Sequence, residues 1–209
     1  MSDNQEILIL GYSGHAYVLI EAALSNGIKT TGYFDYHESK KNPYHLAYLG
    51  FEKLVDIKAI AQQKPVFPAV GDNRIRRKLI DLLDEKGIQQ INIIAAHAQI
   101  SKSVNMGHSN FISFGAIINA QAQIGNACIV NTGAIVEHEC EFADAVHVAP
   151  GAVLAGNVRV GEGSFIGAQS VVKEGISIGN QVIIGAGSVV LKDIPHGETW
   201  VGNPAKRIK

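Results

Sequence analysis

From Ile100 onward the chain places an apolar side chain at every sixth residue: Ile100, Met106, Ile112, Ile118, Ile124, Val130, Val136, Phe142, Val148, Leu154, Val160, Ile166, Val172, Ile178, Ile184 and Val190. Four residues after most of these stands a small side chain, as at Ala116, Ala122, Cys128, Ala134, Cys140, Ala152, Ser164, Ser170 and Ser188. Twelve of the 22 glycines fall one or three places after the apolar residue. A period of six with a buried aliphatic, a small companion and glycine at the bends predicts a parallel β-helix, each hexad lending one short strand to a face of a narrow prism. Glycine suits the bends because it adopts φ > 0 at little cost. An antiparallel sandwich would not hold this register over sixteen hexads.

Residues 1 to 95 lack the period and read as a separate small domain, with 96 to 209 as the solenoid and its C-terminal cap. Glu6-Ile-Leu-Ile-Leu10 predicts a strand that ends in Gly11-Tyr-Ser-Gly-His15, and the residues to about Ser25 are helical in composition. Lys29 to Phe34 predicts a second strand ending in Asp35, and Pro65 to Val70 a third ending in Gly71-Asp-Asn73 before a helix over Arg74 to Lys86. Alternating strands and helices predict a parallel α/β domain with a crevice beyond the carboxyl ends of its strands. Glycine turns and an acid meeting there suit a nucleotide, since backbone N–H groups can approach a phosphate and Asp35 can accept from hydroxyls. The spacing Gly11-x-x-Gly14 departs from G-x-G-x-x-G, and an unliganded strand-to-helix turn accounts for the same residues equally well. Tyr36 to Gly50 is polar, aperiodic and contains proline, which predicts a loop folding over the crevice.

The solenoid pattern is broken in one hexad, Val136-Glu-His-Glu-Cys-Glu141, where three titratable side chains replace small neutral ones. Local violations of a consistent pattern are where function is to be sought. With eighteen residues per coil, His138 stacks between Ala120 and Gly156, leaving an open slot beside the imidazole and the Gly156 N–H for a ligand. His138 can act as a general base, with Glu139 or Glu137 fixing its tautomer. The plain alternative is a solvated acidic turn with an incidental histidine. His147 lies on a neighbouring face, so the two histidines could share a site only across a subunit contact, as in a closed cyclic trimer. Taken alone, His147 reads as structural or exposed.

Composition narrows the class of function. Lys and Arg number 18 against 19 Asp and Glu, so no basic field favours nucleic acid or an anionic membrane. The first residues lack the basic and apolar regions of a signal peptide and no apolar run nears 18 residues, so a cytoplasmic enzyme is expected. Cys128 and Cys140 sit at the small-residue position of the hexad and read as buried hydrophobes, with no metal or redox role.

Together, Gly-x-Ser-Gly-His (11 to 15), Asp35, Val-Gly-Asp-Asn-x-Ile-Arg (70 to 76), Asn131-Thr, Val-Glu-His-Glu-Cys (136 to 140), His147, Ala155-Gly-Asn157 and Val201-Gly-Asn-Pro-Ala-Lys206 resemble the nucleotide-sugar acyltransferases of the NeuD/PglD family. The resemblance covers essentially the whole chain. It implies a Rossmann-like N-terminal domain followed by a left-handed parallel β-helix, a hand opposite to the usual crossover rule. It also implies acetyl transfer from acetyl-CoA to the C4 amine of a nucleotide-linked 4-amino-4,6-dideoxy sugar, UDP being the nucleotide expected and dTDP and GDP the others. Under it, His138 is the base and Glu139 its orienting acid. Ser13, Gly14, His15, Asp35, Gly71 and Arg74 line the nucleotide-sugar crevice. His147, Gly156, Ala168 and Ala186 contact acetyl-CoA in a groove between two subunits of a homotrimer, and no metal is used. Many members carry a second Asp after the first, where this chain has Tyr36. Competing readings are O-acetylation of a sugar hydroxyl, a metal-dependent hydratase using His138 and His147, and a non-catalytic solenoid.

Overall fold

The computed structural model describes residues 5–209; Met1 to Asn4, which entered the reading of the leader, lie outside the described residues. The N-terminal domain is built on four parallel strands, β1 (Glu6–Leu10), β2 (Lys29–Phe34), β3 (Ala47–Tyr48) and β4 (Val66–Pro68). Their order in the sheet is β3-β2-β1-β4. The chain starts at β1, moves outward through β2 and β3, then returns to the other side of β1. That reversal opens a crevice at the carboxyl ends of β1, β2 and β4. Helices α1 (Gly14–Ser25), α2 (Ile57–Ala61) and α3 (Asn73–Glu85) complete the domain.

Two features differ from the sequence expectation. The stretch 36 to 50 is not wholly a loop, because Ala47–Tyr48 adds a strand beside β2. Two residues carry no periodicity, and the strand is held by remote side chains: the Tyr12 hydroxyl donates to Asn42 Oδ1 at 2.8 Å, and Asn42 Nδ2 donates to Leu46 O at 2.8 Å. The short helix α2 was not anticipated. It is capped by Asp56, whose carboxylate accepts from Ala59 N.

The solenoid ladder begins at Ile93–Ile94 and consists of two-residue parallel strands stacked at eighteen-residue intervals, as in Ile129↔His147 and Val130↔Val148. The second residue of each pair points inward. Side chains from Ile112 to Val190 in the hexad series are buried, and so are the small companions, Cys128 and Cys140 included. The third residue after each inward aliphatic turns a corner at φ > 0: glycine at 115, 133, 151, 163, 175 and 187, but Gln121, Glu139, Asn157 and Gln169 at others. Glycines one place after the aliphatic serve a different purpose. Their φ is ordinary, but at Gly167 a Cβ would lie 2.5 Å from the Ala186 nitrogen in the next coil. The coils touch there, and only hydrogen fits.

The prism has three outer faces. The first carries Phe111, Ile129, His147, Phe165 and Ile183; the second Ile117, Ile135, Val153, Val171 and Val189; the third Asn105, Gln123, Glu141, Arg159 and Ser177. The N-terminal domain sits on the first face, burying Phe111 and Ile129 in one cluster with Tyr12, Ala16 and Leu19. A hairpin of Thr199–Val201 and Lys206–Arg207 closes the last coil, with Trp200 buried against the core. No helix among the described residues is long and apolar enough to cross a membrane.

Candidate active site

The junction between the domains is held by a side chain to which sequence reasoning gave no role. Arg76 is 1% exposed. Its guanidinium donates to Ala127 O (2.7 Å) and Ala145 O (3.1 Å) of the solenoid, to Val70 O (3.1 Å) and Gly71 O (3.0 Å) of the crevice loop, and to Asn73 Oδ1 (2.8 Å). The start of α3 is docked further by Asn73 Nδ2, which donates to Gly163 O and Ser164 O. The spacing Arg76, Leu79, Ile80, Leu83 puts the arginine on the buried stripe of α3, and that was the available signal. Beside it, Arg77 meets Asp144 at 2.6 Å and Asp81 at 3.1 Å.

Next to Arg76 lie two histidines, His147 buried and His15 half-buried. His147 is 7% exposed; its Nδ1 donates to Gly71 O at 3.4 Å and its Nε2 accepts from Asn131 Nδ2 at 3.3 Å. Burial first, then the charge of Arg76, pushes its pKa down to about 3. His15 lies 6.4 Å away, centroid to centroid, and the same two causes lower it to about 4. Both rings are therefore neutral at physiological pH. His15 Nε2 is buried without a partner among the described residues.

The crevice predicted at the strand ends is present, with a volume of about 440 Å³. Gly11 turns at φ +90, and α1 then starts with no side-chain cap and no acid in its first turn, so its free N–H groups face the crevice mouth. Asp35 lies at the rim, where its two carboxylate oxygens accept from Tyr12 N (2.9 Å) and Tyr36 N (2.7 Å). Its first task is to hold the turn. Arg74 does not line this crevice. Together with Gly71, Phe165 and Ile183 it borders a separate recess of about 470 Å³ between the start of α3 and the first face. Asp72 fixes the start of α3 there, its carboxylate accepting from Arg74 N and Ile75 N.

His138 stands on the corner between the second and third faces, with its side chain 59% exposed. Glu139 reaches its Nδ1 at 3.1 Å, and Glu139 itself occupies the corner at φ +59, a backbone position that elsewhere favours glycine. The open slot expected over Gly156 is filled by the ring itself: a Cβ on Gly156 would lie 2.5 Å from His138 Cε1 and 2.6 Å from Nε2. Gly156 is thus the floor on which the imidazole lies. Its N–H donates to no protein acceptor among the described residues. With Nδ1–H committed to Glu139, Nε2 keeps its lone pair and can take a proton from a reactant.

The structure thus gathers Ser13, Gly14, His15, Gly71 and His147 along one side of the N-terminal domain, and His138, Glu139 and Gly156 on a corner away from it. Ala168 and Ala186 stack on a third locus, the corner between the first and second faces. Among the described residues neither the crevice nor the recess reaches the His138 corner or the Ala168 and Ala186 corner. Among the described residues no group of three His, Cys, Asp or Glu side chains is placed to hold a metal ion.

Residues 6–83 match the PglD N-terminal domain family, and residues 157–192 match the hexapeptide repeat of succinyl-transferase. The acetyltransferase domain of PglB from Neisseria gonorrhoeae, solved with acetyl coenzyme A, is 31% identical and superposes with a TM-score of 0.90 over 98% of this chain and all of that one. A histidine-to-alanine variant of GDP-perosamine N-acetyl transferase from Caulobacter crescentus, solved with CoA and GDP-perosamine, is 34% identical with a TM-score of 0.92, covering 97% of this chain and 96% of that one. An uncharacterized mimivirus protein, L142, is 34% identical over 106 residues, or 51% of this chain. That match spans only 21% of the viral protein's length.

Proposed function

The chain belongs to the NeuD/PglD family of hexapeptide-repeat sugar acyltransferases, a Rossmann-like domain followed by a left-handed parallel β-helix, and from that premise we propose that it transfers the acetyl group of acetyl-CoA to the C4 amine of a nucleotide-linked 4-amino-4,6-dideoxy sugar. The reaction belongs to cytoplasmic assembly of glycan precursors. The observation that carries the proposal is the His138 imidazole, laid flat on Gly156 and oriented by Glu139 with Nε2 free.

The chemistry follows from that orientation. The sugar amine arrives mostly as an ammonium, and Nε2 of His138 removes the proton that blocks attack. The amine nitrogen then adds to the thioester carbonyl carbon. The oxyanion that forms accepts a hydrogen bond from a backbone donor, for which the unused Gly156 N–H is suited. Collapse breaks the carbon–sulfur bond: the imidazolium gives its proton to the departing CoA thiolate, and the nitrogen, cationic since its attack, releases its second proton to solvent, so that ammonium and thioester leave as amide, thiol and one proton. Acetyl-CoA supplies the acyl group; the chain supplies the base, its orienting acid and a floor that keeps the ring in place.

A homotrimer brings the separated loci together. The second face bears an outward stripe of Ile117, Ile135, Val153, Val171 and Val189, and Val171 is 41% exposed in the single chain. Facing polar or charged outward residues on the third face, this stripe is the side that association would bury. With second faces turned to a three-fold axis, the His138 corner of one protomer meets the Ala168 and Ala186 corner of the next, beside that neighbour's His147 and crevice. One groove then holds acetyl-CoA and the sugar amine.

The test is His138→Ala. The variant keeps its fold and its trimer by light scattering and loses roughly 10²- to 10⁴-fold in acetyl transfer, the usual contribution of a general base. Wild-type turnover in that variant removes His138 from the mechanism.

A further inference from the structure

The crevice has two ends, and their chemistry differs. Resting on the reading above, diphosphate oxygens lie at the Gly11 to Gly14 turn and the start of α1, and the sugar extends toward His15 and Gly71. The nucleobase is left with the opposite end, where Asp35, Tyr36, Phe51 and Glu52 face Ile75 and Leu79 of α3. The aliphatic pair gives the slot an apolar side. Phe51 and Tyr36, edge to face at 5.0 Å, make an aromatic border, so the space suits a planar heterocycle.

What reads the edge of that heterocycle is decided by which polar groups remain uncommitted. Asp35 is engaged with two backbone N–H groups. Glu52 makes no ion pair among the described residues and donates or accepts no side-chain hydrogen bond to another residue there; Lys53 instead extends over the Phe51 ring at 5.9 Å. Burial, assisted by the neighbouring Asp35 charge, raises the Glu52 pKa. The adjacent Lys53 charge offsets this in part but makes no ion pair with it, and a half-buried carboxylate with no hydrogen-bonded partner is an acceptor pair in want of donors.

The bases differ in what they offer such a group. Guanine presents N1–H and N2–H side by side, matched to the two oxygens of a carboxylate. Uracil and thymine present one N–H between two carbonyl oxygens, which a carboxylate repels, and adenine presents one N–H beside a ring nitrogen acceptor. The geometry points to Glu52 as the residue that reads the base and to guanine as that base, where the family resemblance implied uracil. The substrate class is then a GDP-linked amino sugar. Tyr36, standing where many relatives have a second Asp, agrees with this: it borders the base without adding another charge.

Calorimetric titration of the full-length protein with GDP, IDP, UDP and dTDP, with acetyl-CoA as a control, tests the assignment. Wild type binds GDP more tightly than UDP or dTDP by roughly ten- to a hundredfold, the discrimination typical of a bidentate contact to a base. IDP, which lacks the N2 amine, falls between. In Glu52→Gln the side chain offers one donor and one acceptor, a match for uracil; GDP weakens by a similar factor, UDP tightens, and acetyl-CoA binding and melting temperature stay as in wild type. UDP or dTDP binding as tightly as GDP in wild type, or GDP affinity unmoved in Glu52→Gln, overturns the guanine assignment. Acetylation of a UDP- or dTDP-linked amino sugar alongside that result would leave the proposed transfer standing. Normal acetyl-CoA binding with no nucleotide bound at all overturns both the base and the crevice as its site.

Discussion

Gly156→Ala separates the position of the His138 ring from its presence. The added Cβ would sit 2.5 Å from Cε1, 2.6 Å from Nε2 and 3.2 Å from Nδ1. Carbon contacts are comfortable only near 3.5–4.0 Å, so the ring must retreat by about 1 Å or swing off the corner. The side chain is 59% exposed and can do so without disturbing the coil. Gly156 also lies outside the positive-φ region, so alanine adds no backbone strain. Fold stability should hold or rise by about 0.4–1 kcal/mol through the lower entropy of the unfolded chain. Catalysis should not hold: a displacement near 1 Å costs about 10²-fold, or close to 3 kcal/mol of barrier. Release of the CoA thiol, followed at saturating acetyl-CoA and nucleotide sugar, should show kcat reduced by that factor, with the melting temperature unchanged or higher. A wild-type kcat in a well-folded variant would refute the claim that the ring works from its seat on Gly156.

Three further outcomes follow from the geometry. Arg76→Met leaves five neutral oxygen acceptors in the two domains without their donors, and urea unfolding should show a loss of about 3–5 kcal/mol, since each buried acceptor left unpaired costs about 1–3 kcal/mol and some regain water. Lowering the pH should destabilise the protein from about pH 6.5 toward pH 4: the unfolded histidines take up protons near their model value of 6.5, while His15 at about 4 and His147 at about 3 refuse them in the folded state. Full stability is thus present above pH 6.5, and a His15→Gln, His147→Gln double variant should flatten the decline in a pH series of thermal melts. Val171→Glu places a charge in the middle of the apolar second face; light scattering should report monomers and turnover should fall with the trimer, whereas an active monomer would contradict a shared groove.

The solenoid was open to reading because its neighbours are set by arithmetic. Residues eighteen apart stack, so the chain alone placed His138 over Gly156 and assigned Cys128 and Cys140 to the interior. The same arithmetic could not say whether the space above Gly156 was vacant or held the ring, since that depends on a side-chain torsion. In the N-terminal domain the strand ends were legible from apolar runs ending in glycine or acid, and they located the crevice. Arg74, Arg76 and Glu52 were not: Arg74 borders a recess, Arg76 fills a sealed junction and Glu52 lines the crevice, according to how α3 and the segment after β3 dock.

Periodicity is local and repeated, so the order of residues alone determined the prism, its core, its corners and the one hexad in which titratable side chains break the pattern. Docking is neither. Only the folded chain decided that Arg76 ties the domains through five carbonyl-type acceptors, that His147 and the half-buried His15 are neutral beside it, and that His138 and the crevice lie on different sides of the protomer. Those outcomes rest on desolvation and on contacts between segments some 50 to 75 residues apart, such as Arg76 with Ala127 and Gly71 with His147, which no repeat dictates.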